Sequence, residues 1–261
     1  MRTLFVLLTL CGLVLGGPFS YAAEKGCAMV LLHGKWSNPQ YVRSFGSRLS
    51  DLCDYKSIEM PWSQRRGYDA DYPEALREIA TQVSELRAKG YRQVVLAGHS
   101  FGANAAMAYM AVHGDVDAVI ALGAGHVPEV FYERGSTRDS VDKARQMVVA
   151  GRGEERSSFD DINQGQSRSI RMAARVYLSY FDPEGLGNMG LSAAAFRKPV
   201  PFAWIIGTGD RLQAAGPEFA FARTPNHAKS AYLEVPADHL TVLDAPGAEA
   251  ARQWLNALIS D

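Results

Sequence analysis

Residues 93–113, QVVLAGHSFGANAAMAYMAVH, constrain this chain more than any other stretch: an apolar run enters Gly98-His99-Ser100-Phe101-Gly102 and leaves as an alanine-rich segment. The run predicts a buried strand and the segment after it a helix, joined by one tight turn. A serine on such a turn displays its hydroxyl. The turn also brings helix and strand so close that only small residues fit two positions before and two after the serine. Both positions are glycine here, Gly98 and Gly102. Ser100 stands at the helix start, where the first N–H groups lack intrahelical acceptors and can serve developing negative charge. A chance match in a glycine-rich linker would lack the flanking strand and helix. The stretch therefore predicts a mounted nucleophile with half of an oxyanion site beside it.

The rest of the chain alternates in the same manner. Residues 27–32 form a short apolar strand closing on His33-Gly34-Lys35-Trp36, and Asn38-Pro39 opens a helix marked by Tyr41, Val42, Phe45, Leu49 and Leu52. Residues 55–60 make a second strand, residues 61–68 a polar and aromatic loop, and Leu76, Ile79, Ala80, Val83 and Leu86 one face of a helix stopping at Gly90. After the central helix come an apolar strand over 116–122, ending in Gly123-Ala124-Gly125-His126, and later strands over 202–207 and 231–235. These lead into Thr208-Gly209-Asp210 and Pro236-Ala237-Asp238-His239, before a closing helix carrying Ala251, Trp254, Leu255 and Leu258. Apolar strands alternating with helices predict an α/β fold: a mostly parallel six-stranded sheet covered by helices on both faces. Ligands of such sheets bind at the carboxyl ends of the strands, where His33, Ser100 and His126 fall.

Residues 127–198 break this rhythm and read as a helical cap or lid insertion without a strand. Ser136, with Asp139 three residues later, is positioned to cap a helix ending at Gly151. Ile170, Ala173, Ala174, Tyr177, Leu178 and Phe181 repeat at helical spacing, and residues 152–168 read as a polar, mobile loop.

The N-terminus differs in kind. Arg2, the nearly unbroken apolar run of residues 4–16 and the small residues near Ala22 predict a secretory signal peptide over residues 1–22. The domain then spans 23–261, and the protein is expected to be periplasmic or secreted. Leu10 before Cys11 is too bulky for a lipoprotein signal, and cleavage would leave Cys27 and Cys53, a candidate disulfide in an oxidising compartment. A net charge of -1, with no cluster of basic residues among aromatics, gives no support to a nucleic-acid partner. No metal-ligand cluster or phosphate-cradling loop is evident, so neither metal nor cofactor is expected.

A serine hydroxyl needs a base to take its proton, and the base needs an anion to fix its tautomer. Ser100, Asp210 and His239 supply these roles, in the order nucleophile, acid, histidine. Asp238, adjacent to His239, and Asp182, inside the insertion, are the weaker carboxylate choices. His99 reads as a packing neighbour, and His126 and His227 are candidates to line the pocket at the same edge, neither following a strand at the expected final position. Together the His33-Gly34 strand end, the GxSxG turn, Gly207-Thr208-Gly209-Asp210 and Asp238-His239 resemble the successive signatures of the α/β-hydrolase superfamily. That resemblance implies Ser100 as nucleophile, His239 as general base and Asp210 as its orienting carboxylate. It also implies backbone N–H groups of Lys35 and Phe101 as the oxyanion hole, with no role for either side chain. The function it implies is an exported serine hydrolase acting on a small ester-like substrate through an acyl-enzyme. The other reading is a catalytically silent, hydrolase-like binding protein. Arg65, Arg66 and Arg211 read as solvated surface charge that an anionic substrate would also suit.

Overall fold

The computed structural model describes residues 25–259; the segment expected to be a signal peptide, with Cys11, lies outside the described residues. In chain order the elements are β1 (Lys25–Leu32), α1 (Arg43–Ser47), β2 (Asp54–Ile58), α2 (Tyr72–Ala88), β3 (Tyr91–His99), α3 (Phe101–Val112) and β4 (Ala118–Leu122). There follow α4 (Pro128–Glu133), α5 (Arg138–Val149), β5 (Arg156–Asn163), β6 (Gln166–Ala173), α6 (Ala174–Phe181), α7 (Met189–Ala194), β7 (Phe202–Gly207), β8 (Ala231–Val235) and α8 (Ala245–Ile259).

Six strands form one sheet in the order β2-β1-β3-β4-β7-β8, and every neighbouring pair runs parallel. Successive side chains of a strand point to opposite faces, and two cores divide them accordingly. On β1, Ala28, Val30 and Leu32 join one core while Met29 and Leu31 join the other; on β7, Phe202, Trp204 and Ile206 oppose Ala203 and Ile205. The first core lies under α2, α3 and the insertion, and the second under α1 and α8. A sheet buried on both faces reads as continuous apolar runs, which is why these strands lack strict alternation in sequence. Among the described residues no helix is long and apolar enough to cross a membrane.

The chain steps from β1 outward to β2, then returns to place β3 on the other side of β1. That reversal opens a crevice at the carboxyl ends of β1 and β3, the usual ligand position in open α/β sheets. The segment after β1 carries His33 to Trp36, and the turn after β3 carries Ser100. Helix α3 is buried nearly all round, Phe101 to Met110 without interruption, so it shows no amphipathic stripe. Asp71 caps α2 by accepting from the Glu74 N–H at 2.9 Å.

Four expectations are corrected in detail. The helix expected after Asn38-Pro39 is a 3₁₀ turn over Pro39–Val42 followed by the short α1. The insertion is not all helical: residues expected as a mobile loop form most of an antiparallel hairpin, β5 paired with β6. Its two-residue loop is Gln164-Gly165, both at positive φ (50° and 78°), which suits the right-handed twist of a tight hairpin. Ile170 and Ala173 belong to β6 and only the later residues of the expected stripe to α6, so helical spacing there spans a strand–helix junction. Thr137, not Ser136, is the residue before α5, and it makes no side-chain cap bond.

Candidate active site

Ser100 sits between β3 and α3 at φ 55° and ψ −116°, a conformation that L residues avoid unless the surroundings impose it. Its N–H donates to Leu122 O at 3.0 Å, and its C=O accepts from Gly125 N–H at 3.1 Å. The turn is thereby stitched to the end of β4. A Cβ on Gly98 would lie 2.1 Å from the Gly102 carbonyl, and one on Gly102 would lie 2.3 Å from Leu32 O. Glycine at these positions is a steric requirement of the close approach among β3, α3 and β1.

The loop after β7 carries Asp210, and the loop after β8 carries His239. His239 Nε2 lies 3.0 Å from Ser100 Oγ, and His239 Nδ1 lies 2.7 Å from Asp210 Oδ2. The second oxygen, Oδ1, accepts the Leu212 N–H at 2.9 Å, which fixes the carboxylate plane. All three residues are buried. With Nδ1–H donated to the carboxylate, Nε2 is left as an acceptor for the serine proton. The other carboxylates are elsewhere: Asp238 is exposed and accepts from the Leu240 and Thr241 N–H groups, while Asp182 pairs with Arg145.

His99 and His33 serve geometry, and His126 lines the larger cleft. His99 donates Nε2–H to the His239 carbonyl at 2.7 Å, holding the loop that bears the imidazole. Burial, followed by the neighbouring His239, lowers its pKa from 6.5 to about 4, so it stays neutral. His33 is fully buried, donating Nδ1–H to Gly34 O at 2.8 Å and accepting the Met60 N–H at Nε2 at 3.1 Å. Burial lowers its pKa as well. His126 donates to Tyr180 O at 2.8 Å and stacks on Phe101 with ring centroids 3.9 Å apart. His227 lies outside both clefts described below, its Nδ1 accepting from Lys229 N–H.

The Gly34 segment lies against the nucleophile, since a Cβ on Gly34 would come within 3.1 Å of Ser100 Cβ. Among the described residues no hydrogen bond uses the Lys35 N–H, and the Phe101 N–H opens α3, where no intrahelical acceptor exists. The Lys35 side chain, which sequence reasoning passed over, is buried. Its Nζ donates to Asp161 Oδ1 at 2.7 Å and Ile162 O at 2.9 Å. Burial lowers its pKa and the Asp161 charge opposes that fall. Nothing in the sequence pointed to Asp161.

Two clefts meet at Ser100 and His239. The larger, about 810 Å³, is walled by apolar residues including Val127, Val130, Phe131, Leu212 and Phe219, and by polar ones including Arg134, Ser136 and His126. The smaller, about 280 Å³, is walled by Trp36, Ser37, Asn38, Tyr41 and His99. Lys35 and the hairpin residues Asn163 and Gln164 border both. Arg211 lines the larger cleft, whereas Arg65 and Arg66 are engaged with Glu59, Asp69 and Glu78 away from it. Among the described residues no cluster of side chains is arranged to hold a metal ion. Cys27 and Cys53 lie across the β1–β2 edge, their sulfurs joined and Cα atoms 4.6 Å apart.

No curated protein matches the chain by sequence. Among solved structures it is similar to a monoacylglycerol lipase from Paleococcus ferrophilus (18% identity, 90% of this chain and 96% of that one, TM-score 0.64). It is also similar to Est1E from Butyrivibrio proteoclasticus (15% identity, 91% and 90% covered, TM-score 0.62). A thermostable carboxyl esterase from Bacillus coagulans is a third (13% identity, 91% and 92% covered, TM-score 0.63). At these identities the likeness is one of fold. The model of the alpha/beta hydrolase family matches residues 29–253, nearly the whole described chain, and the chain belongs to that family.

Proposed function

We propose that this protein is an exported serine hydrolase that cleaves a carboxylester or thioester through an acyl-Ser100 intermediate. The observation that carries the reading is the hydrogen-bonded line from Ser100 Oγ through His239 to Asp210, at 3.0 and 2.7 Å, opening on two clefts. In the first step Ser100 Oγ attacks the carbonyl carbon while its proton passes to His239 Nε2. The carbonyl oxygen becomes an oxyanion, met by the N–H groups of Phe101 and Lys35. Collapse breaks the bond to the leaving oxygen or sulfur, which takes the proton from Nε2. Water then repeats the sequence on the acyl-serine and regenerates the enzyme. Asp210 keeps its negative charge throughout, orienting His239 and stabilising the imidazolium.

The clefts suit a substrate with a larger group on one side of the scissile bond and a smaller one on the other. Solved relatives named as a monoacylglycerol lipase and a carboxyl esterase favour esters. Export rests on the N-terminal pattern and is tested by fractionating cells that produce the full chain. Turnover is tested with p-nitrophenyl and thioester substrates of graded acyl length. The expected result is a burst of released leaving group when deacylation is slow, absent in Ser100→Ala. A folded wild type that turns over none of the panel and leaves Ser100 unlabelled supports the silent binding protein instead.

A further inference from the structure

Asp161 is wholly buried on β5 of the insertion, yet nearly everything that holds its charge comes from the sheet domain around the oxyanion segment. Its carboxylate accepts from Lys35 Nζ at 2.7 Å, from Trp36 Nε1 at 2.5 Å and from Tyr68 OH at 2.9 Å. The next two residues continue the contact: Ile162 O accepts from Lys35 Nζ at 2.9 Å, and Asn163 Nδ2 donates to Lys35 O at 3.3 Å. Three consecutive hairpin residues thus grip Lys35 by its ammonium and by its carbonyl.

The gripped segment includes a strained residue. Trp36 has φ 56°, a left-handed conformation that a bulky residue adopts only under constraint. The Lys35–Trp36 peptide is held at both ends, its N–H by Trp62 O at 2.9 Å and its C=O by Asn163 Nδ2 at 3.3 Å, while Asp161 fixes the two side chains that flank it. Rings of Phe101, Phe131 and Phe181 surround Lys35 Nζ, with centroids at 5.6, 5.6 and 4.9 Å. A buried ammonium in such surroundings demands a fixed anion, and Asp161 is the carboxylate bonded to it.

We propose that Asp161 is a positioning residue of this site: the insertion's hairpin is a fixed scaffold, and its carboxylate holds Lys35 and Trp36 so that the Lys35 N–H faces the reacting carbonyl oxygen. The hairpin is then a built-in wall between the two clefts, and substrate enters along them without hairpin opening. This inference rests on the acyl-serine reading and deepens it.

The test measures Asp161→Asn, which keeps shape and removes charge, on the full mature enzyme. Removing an oxyanion donor outright costs roughly 10²–10³ in rate, so a displaced donor is expected to lower kcat/KM by about 30-fold. A trifluoromethyl ketone matching the best ester, which forms an oxyanion on Ser100, should lose affinity by the same factor. The matching ether, which has no carbonyl, should bind within about twofold of wild type. Arg145→Gln, which breaks a pair with Asp182 elsewhere in the insertion, should leave all three values unchanged. If Asp161→Asn loses its near-ultraviolet circular dichroism, Trp36→Phe carries the test, with a fall of at least about fivefold in kcat/KM and ketone affinity together. An active wild type whose folded variant loses thermal stability but keeps its kcat/KM and ketone affinity overturns the inference alone. A wild type inactive on every ester and unlabelled at Ser100 overturns the reading beneath it.

Discussion

Replacing Gly102 by alanine would set a methyl group 2.3 Å from Leu32 O, 2.6 Å from Leu32 C and 2.8 Å from Leu32 Cβ. Ordinary contact for such atoms begins near 3.4 Å. The first turn of α3 must therefore retreat from β1 by about 1 Å, because backbone on both sides leaves no flexible side chain to yield. Overpacking of this kind costs about 1–3 kcal/mol, and at this chain length each kcal/mol lowers Tm by about 2–4 °C. The functional cost is larger. The Phe101 N–H rides on α3 and the Lys35 N–H follows β1, so the two would separate by the same displacement, which is worth roughly 10² in kcat. Thermal unfolding and steady-state kinetics on the same preparation give both numbers. Gly26→Ala is the control, since a Cβ there meets nothing within 4 Å. A Gly102→Ala protein with wild-type Tm and kcat would refute the argument that helix and strand touch at this point.

Three further outcomes follow from the site and its surroundings. Asp210→Asn should lower kcat by about 10⁴ with the fold intact, while Asp238→Asn stays within about twofold; the reverse pattern would name Asp238 as the partner of His239. His99 is buried and neutral with a pKa of about 4 against 6.5, so the unfolded chain binds the extra proton between those values. Stability is full above about pH 6.5, falls by about 3 kcal/mol as pH drops to about 4, and levels off below. Urea unfolding should show that slope reduced in His99→Gln, and an unchanged slope would contradict the assignment. The bond between Cys27 and Cys53, 26 residues apart, should contribute about 3 kcal/mol on the chain-entropy model. Thiol titration of the unfolded, unreduced mature protein should find none, and two free thiols would exclude the bond.

Much of this architecture is legible in sequence because its determinants are local. Gly98 and Gly102 mark the tight turn by spacing alone, and apolar runs ending in glycine mark the buried strands. The placement of Ser100, Asp210 and His239 after separate strands follows from chain order, and parallel topology then brings all three to one edge. What the sequence concealed was concealed by polarity. On β5 one inward position is Asp161, a charge, and arginines and serines fill much of β6, so the period-two pattern reads as a solvated loop. Across the β6–α6 junction Ile170, Ala173 and Ala174 happen to match helical spacing, which hid the strand's end. The grip of Asp161 on Lys35 joins residues 126 positions apart, and no periodicity in one sequence reports a pairing at that distance.

The most direct test of the account is covalent labelling. The mature protein should react with a fluorophosphonate to one equivalent, and peptide mass mapping should place the adduct on Ser100. Ser100→Ala should remain unlabelled. A folded wild type that takes no label, or takes it at another residue while Ser100 stays free, would contradict the claim that Ser100 is an activated nucleophile.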